Sequence, residues 1–163
     1  MTPSPNALRT VWRSLTVPLL AATLLALAAA PGLARERLPG PVQADVLKVR
    51  DGDTLAVRAR IWLGQVVDTN VHLAGIDTPE LRGRCHRERR MASAARAFVT
   101  RKLDGRPVTL RDIRFGKYAG RVVARVFTAS GEDLGEALIA AGLGRRYRGR
   151  RRASWCEQAE QSR

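Results

Sequence analysis

"DGDTLAVRARIWLGQVVDTNVHLAGIDTPE", residues 51–80, decides how this chain folds. Leu55, Val57, Ala59, Ile61 and Leu63 alternate with more polar neighbours, the two-residue period of a half-buried strand. Gly64 marks a turn, and Val67, Thr69, Val71 and Leu73 resume the alternation, leaving Asp68, Asn70 and His72 off the core face. Asp51-Gly52 before the first run is a hairpin signal, so Val42 to Arg50 is expected to be a preceding strand.

Downstream the period changes. Met91, Ala95, Phe98 and Val99 recur at helical spacing within Glu88 to Lys102, with basic residues elsewhere. Val108 to Phe115 and Arg121 to Phe127 read as two more strands. Leu134 to Ala141 reads as a short helix with Asp133 as N-cap and Gly142 as C-cap. Three strands, a helix, two strands and a helix is the order of a mainly β, five-stranded Greek-key barrel of OB type. One helix is inserted after strand three and a second lies at the C-terminal end. Such barrels often bind nucleic acid on one face. A split α+β sandwich fits the same string.

The 163 residues suit one domain. Arg9 and Arg13, the apolar run Leu15 to Ala30, and small residues at Gly32 and Ala34 have the pattern of a cleavable secretory signal over residues 1–34. An uncleaved N-terminal anchor is the other reading, and no stable membrane span is expected once the signal is removed. Residues 35–41 read as a linker, 42–147 as the barrel domain and 148–163 as a basic tail carrying Cys156. An exported chain with two cysteines is expected to pair Cys85 with Cys156.

Formal net charge is +14; removing the signal leaves 27 basic side chains against 15 acidic ones. That balance favours a polyanionic partner such as nucleic acid, acidic polysaccharide or an anionic surface. Yet Asp51, Asp53, Asp77 and Glu80 gather at two short loops. Asp53 and Asp77, each beside a strand end, suit a hard divalent cation, which takes oxygen ligands. Glu80, beyond the turn fixed by Pro79, suits a general base outside that ligand set. Taken singly, Asp-Gly-Asp-Thr is also an ordinary hairpin turn and Asp-Thr-Pro-Glu an ordinary helix start. Arg121 could stabilise charge developing on a phosphodiester or face solvent from its strand. Lys117 and Tyr118 suit a strand-binding cleft as readily as simple loop exposure.

"VRDGDTLAV" (49–57), "LAGIDTPELRGRC" (73–85), "KYAGRVVARVF" (117–127) and "LGEALIAAGLGRRY" (134–147), in this order and spacing, resemble the staphylococcal (thermo)nuclease family. The resemblance covers Val42 to Tyr147. It implies an OB-fold barrel and Ca²⁺-dependent cleavage of DNA and RNA. By position it implies Asp53 and Asp77 as calcium carboxylates, the Thr78 carbonyl as a further ligand, and Glu80 as general base. Arg121 matches the arginine after the Lys-Tyr loop, although "KYAGR" has one residue more between Tyr and Arg. The family's other arginine stands five residues before the Asp of "DTPE", where this chain has His72.

That departure bears on rate. Imidazole offers no fork of donors and is mostly neutral at pH 7. Losing one preorganised donor costs on the order of 10²–10³ in rate. The expectation is therefore an exported Ca²⁺-dependent nuclease, monomeric and periplasmic or secreted, with His72 weakening it or Arg58, Arg60 or Arg82 replacing the missing arginine. A catalytically impaired nucleic-acid-binding barrel is the alternative, and a cationic surface protein holding anionic polymers a third reading.

Overall fold

In a computed structural model, residues 36–117, 120–149 and 151–156 are described, all within one compact unit, Arg35–Arg163. The signal reading for residues 1–34 lies outside the described residues. Two strands meet in a tight hairpin at the first acidic loop. β2 (Val42–Asp51) and β3 (Thr54–Trp62) are antiparallel, with Asp51 opposite Thr54 across a turn made by Gly52 and Asp53. Gly52 is required by crowding. A Cβ there would lie 2.8 Å from the Ala95 Cβ and 3.1 Å from the Thr78 hydroxyl.

β4 (Gln65–Leu73) returns antiparallel to β3, and β5 (Ile76–Asp77) follows at once. β6 (Val108–Phe115) pairs antiparallel with β2, and β7 (Arg121–Phe127) pairs antiparallel with β6 and parallel with β4. The ring β2-β3-β4-β7-β6 therefore closes into the expected five-stranded barrel. β1 (Arg37–Leu38), within the segment read as a linker, adds to the outer edge of β6.

Leu55, Val57, Val71, Leu73, Val108, Leu110, Ala124 and Val126 point into the barrel. Helix α1 (His86–Leu103) closes it with Ala95, Val99 and Leu103, and α2 (Leu134–Ala140) adds Leu134 and Leu138. Each fully buried Leu or Val stabilises by about 1.5–3 kcal/mol. The buried stripe of α1 is Ala92, Ala95, Val99 and Leu103, with Phe98 packed at its margin. It is rotated toward the alanines because Ala95 sits against Gly52, where a larger side chain has no room. Asp133 caps α2 as expected. Ala141 is the C-cap, and Gly142 follows at φ 67°, where Gly142 N donates to Ile139 O and Leu143 N to Leu138 O. This is the Schellman arrangement, which places glycine one residue past the cap.

The strand alternation outruns the core. Ile61, Trp62, Leu63 and Val66 are exposed, Leu63 at 89%, because the tip of the β3–β4 hairpin extends past the barrel wall. Arg58 and Asp68, directly opposite on that hairpin, form a two-point ion pair at 2.8 Å. Among the described residues no helix is long and apolar enough to cross a membrane.

Candidate active site

Both acidic loops open at one end of the barrel. Asp53 O accepts from Leu73 N at 2.8 Å, and Asp53 Oδ2 accepts from Thr78 N at 3.2 Å. The turn after β2 is thereby fastened to the turn after β5. Asp53, Asp77 and Thr78 are all buried. The hydroxyl of Thr54 donates to Asp53 Oδ1 at 3.1 Å and lies 3.2 Å from His72 Nδ1, which is 3.4 Å from the same Asp53 oxygen. With the Thr54 hydroxyl donating to Asp53, a protonated Nδ1 of His72 donates in turn to the Thr54 oxygen, so His72 supports that carboxylate through Thr54.

Asp77 is held by the C-terminal segment. β8 (Arg145–Arg146) pairs with β5, placing Arg145 opposite Asp77, and Tyr147 N donates to Gly75 O at 2.8 Å. Trp155, itself buried, donates Nε1–H to Asp77 Oδ2 at 3.1 Å. The Arg145 guanidinium stacks 3.5 Å over the Trp155 ring and donates to Ser154 O. Arg152 Nη1 donates to Glu80 Oε1 at 2.8 Å. Its Nε lies 3.0 Å from Asp77 Oδ1, within ion-pair range but misaligned for a hydrogen bond, so that buried oxygen accepts none among the described residues. Cys85 and Cys156 form a disulfide, joining the segment to the N-cap of α1.

The charges oppose one another strongly. Burial first, then the charges of Asp53 and Glu80, hold the Asp77 carboxyl above its ordinary value of 3.8, against Arg152 and the Trp155 hydrogen bond. Asp51 is raised by burial, Glu80 and Asp53, against Arg96 and Arg121. Burial disfavours the Arg152 cation, but its bond to Glu80 and the charges of Asp77, Glu80 and Asp53 outweigh that and hold it above its ordinary value. Several carboxylates are thus crowded beside a buried oxygen that lacks a donor. An all-oxygen donor set of this kind fits a hard divalent cation.

Asp53, Asp77, Thr78 and Glu80 therefore come together as the sequence suggests, with Asp51 added and His72 beside Asp53. Half-buried Arg121 opens β7 and acts electrostatically on Asp51. Lys117 is exposed in the β6–β7 turn, and Tyr118 lies outside the described residues. Of the candidate replacement arginines, Arg58 is engaged by Asp68 and Arg60 is exposed on β3. Arg82 lines a cleft of about 760 Å³ together with Asp77, Thr78, Glu80, Arg152 and Trp155. Arg152 and Trp155 are the residues that sequence reasoning missed. Their signal lay in the cysteines: Cys85 follows Glu80 by five positions and Cys156 follows Arg152 by four, so pairing the cysteines carries Arg152 to Glu80.

The family model described as staphylococcal nuclease homologue matches residues 70–162, from β4 through the C-terminal segment. No curated protein gave a match to the chain. Asp53 precedes the matched stretch and is joined to it by its bonds to Leu73 and Thr78. The barrel topology, the position of the acid cluster and a match over more than half of the chain agree: this protein belongs to the staphylococcal nuclease homologue family.

Proposed function

We propose that the protein is an exported, Ca²⁺-dependent nuclease that hydrolyses phosphodiester bonds of DNA, RNA or both. The observation that carries this reading is the acid cluster: Asp53, Asp77 and Glu80 share one end of a barrel in a chain of net charge +14. A polyanion-binding surface gains nothing from crowded carboxylates unless a cation lies among them.

Asp53, Asp77 and the Thr78 carbonyl are the groups to hold calcium, which when bound neutralises the carboxylates and draws in a phosphodiester oxygen. His72 and Thr54 fix the Asp53 carboxylate, and Trp155 fixes Asp77. Glu80 has Oε1 held by Arg152, leaving Oε2 to take a proton from water. The water oxygen bonds to phosphorus, the bond to the leaving oxygen breaks, and that oxygen takes a proton from solvent, giving a phosphomonoester and an alcohol. Arg121 supplies positive charge to the developing equatorial oxygens. Export to the periplasm or medium is supported by the signal-like residues 1–34 and the disulfide.

A catalytically impaired nucleic-acid-binding barrel is the second reading, favoured by the histidine where the family resemblance leads one to expect an arginine. One assay separates the two: the disulfide-bonded mature protein is incubated with single-stranded DNA in calcium and in EGTA. Cleavage in calcium alone supports the nuclease; binding without cleavage in either buffer supports the binder.

A further inference from the structure

Arg152 reaches the reaction centre from a segment whose basic residues would otherwise pass for a solvated tail. Among the ion pairs of the described residues it is the cation that meets both Asp77, at 3.0 Å, and Glu80, at 2.8 Å. Its side chain is 44% exposed and lines the cleft beside them. A guanidinium has five N–H donors in a planar fork. Two of its nitrogens face the acids here, so Nη2 and the second proton of Nη1 remain for a ligand in the cleft.

The segment is built to hold it there. Trp155 is buried against Asp77, Arg145 is stacked on Trp155 and bonded to Ser154, and Cys156 is covalently tied to Cys85. Arg152 thus lies between two anchored points, β8 and Trp155. His72 spends its Nδ1 on Asp53 and Thr54 and offers the phosphate no fork.

We propose that Arg152 is the second guanidinium of this active site, binding the nonbridging oxygens of the phosphodiester under attack, with Trp155 and the Cys85–Cys156 disulfide holding it in place. The assignment rests on the nuclease reading. In the step described above Arg152 transfers no atom. It stays protonated, bonds to the equatorial oxygens as their charge grows, and keeps Glu80 Oε1 occupied while Oε2 accepts the proton. Arginine suits this role because its fork matches two phosphoryl oxygens at once.

The test uses the full disulfide-bonded chain and its Arg152→Ala and Arg152→Lys variants, with kcat and KM measured on single-stranded DNA in calcium. Arg152→Ala should lower kcat about 10²-fold, and lysine should recover only part, since it lacks the fork. The lysine variant keeps the charge and serves if the alanine variant loses its fold. Binding of a 5′-phosphorylated trideoxynucleotide is compared with that of its 5′-hydroxyl form. The wild-type preference for the phosphate should be roughly tenfold, and Arg152→Ala should erase it. A kcat in Arg152→Ala within about threefold of wild type, or above it, overturns the proposal. So does a phosphate preference that is missing in the wild type or that survives the substitution. A wild type that cleaves nothing, yet whose phosphate preference depends on Arg152, removes the nuclease reading and leaves the arginine as a phosphate ligand.

Discussion

Trp155 donates its indole N–H to Asp77 Oδ2 at 3.1 Å across 78 positions of sequence, joining the C-terminal segment to a buried carboxylate of the site. Trp155→Phe keeps the ring and deletes the donor. The buried acceptor then goes unsatisfied, which costs about 1–3 kcal/mol of stability. The indole bond also draws the Asp77 titration downward, so its loss should raise the pH at which calcium half-saturates the protein. Calorimetric calcium titrations of both proteins across the acid range check this; identical profiles would sink it.

The raised titrations of Asp77 and Asp51 set a wider pH dependence. Protonation of these groups stabilises the cation-free fold fully below the ordinary carboxylate value of 3.8. That contribution disappears as pH rises through the higher folded-state values. Calcium takes over where the protons leave, so the calcium-induced rise in Tm should grow as pH rises above 3.8 and level off only above the raised folded-state values. A calcium shift in Tm that is flat from about pH 4 to pH 7 would count against carboxylate ligation.

Glu80 and Asp53 should fail differently. Glu80→Gln removes the proton acceptor and should lower kcat by about 10²–10⁴ while the calcium shift in Tm persists. Asp53→Ala should abolish the calcium shift and the cleavage together, with the barrel still folded. Parallel melting curves and rate measurements separate the two patterns, and a Glu80→Gln protein at wild-type rate would remove Glu80 as base.

His72→Arg is expected to raise cleavage, and most visibly where Arg152 has been replaced. An arginine on β4 would supply a permanent charge near the phosphate that the imidazole cannot. In a four-protein cycle of wild type, His72→Arg, Arg152→Ala and the double variant, part of the rate lost with Arg152 should return. Strict additivity of the two effects would falsify the idea that the residues share a task.

The disulfide closes a loop with 71 positions of separation. Its removal in a Cys85→Ser/Cys156→Ser protein should cost about 4 kcal/mol of stability through the loop-closure entropy of the unfolded chain. Urea unfolding at matched pH measures it; a loss below about 1 kcal/mol would mean that the oxidised loop holds little of the fold together.

The barrel was readable in the sequence because its strands carry the two-residue period and its turns carry glycine and aspartate in diagnostic places. The hairpin tip misled because Ile61 and Leu63 continue that period beyond the point where the barrel wall ends. Periodicity reports which face is apolar and says nothing of whether another element covers it. The acid cluster was readable because Asp53, Asp77 and Glu80 sit in short, distinctive turns. Arg152 was hidden by composition: one arginine in "RRYRGRRR" carries no local mark. Its partner is chosen by a disulfide and an indole bond that span 71 and 78 positions of sequence, and only the fold brings those together.

The parallel pairing of β4 with β7 joins a local meander to a distant part of the chain. β2 to β4 form a local antiparallel meander, with Asp51 and Asp53 at its first turn and Asp77 just beyond its last strand, and such hairpins form quickly. Asn70 meets Arg121, and Asp77 meets Arg145 and Trp155, only after α1 and β6 have been traversed. Loop-closure entropy makes those distant pairings slow. The acids of the site thus come from neighbouring turns of one local meander, whereas the guanidiniums that offset them, Arg121 and Arg152, are supplied by chain segments 40 or more positions later.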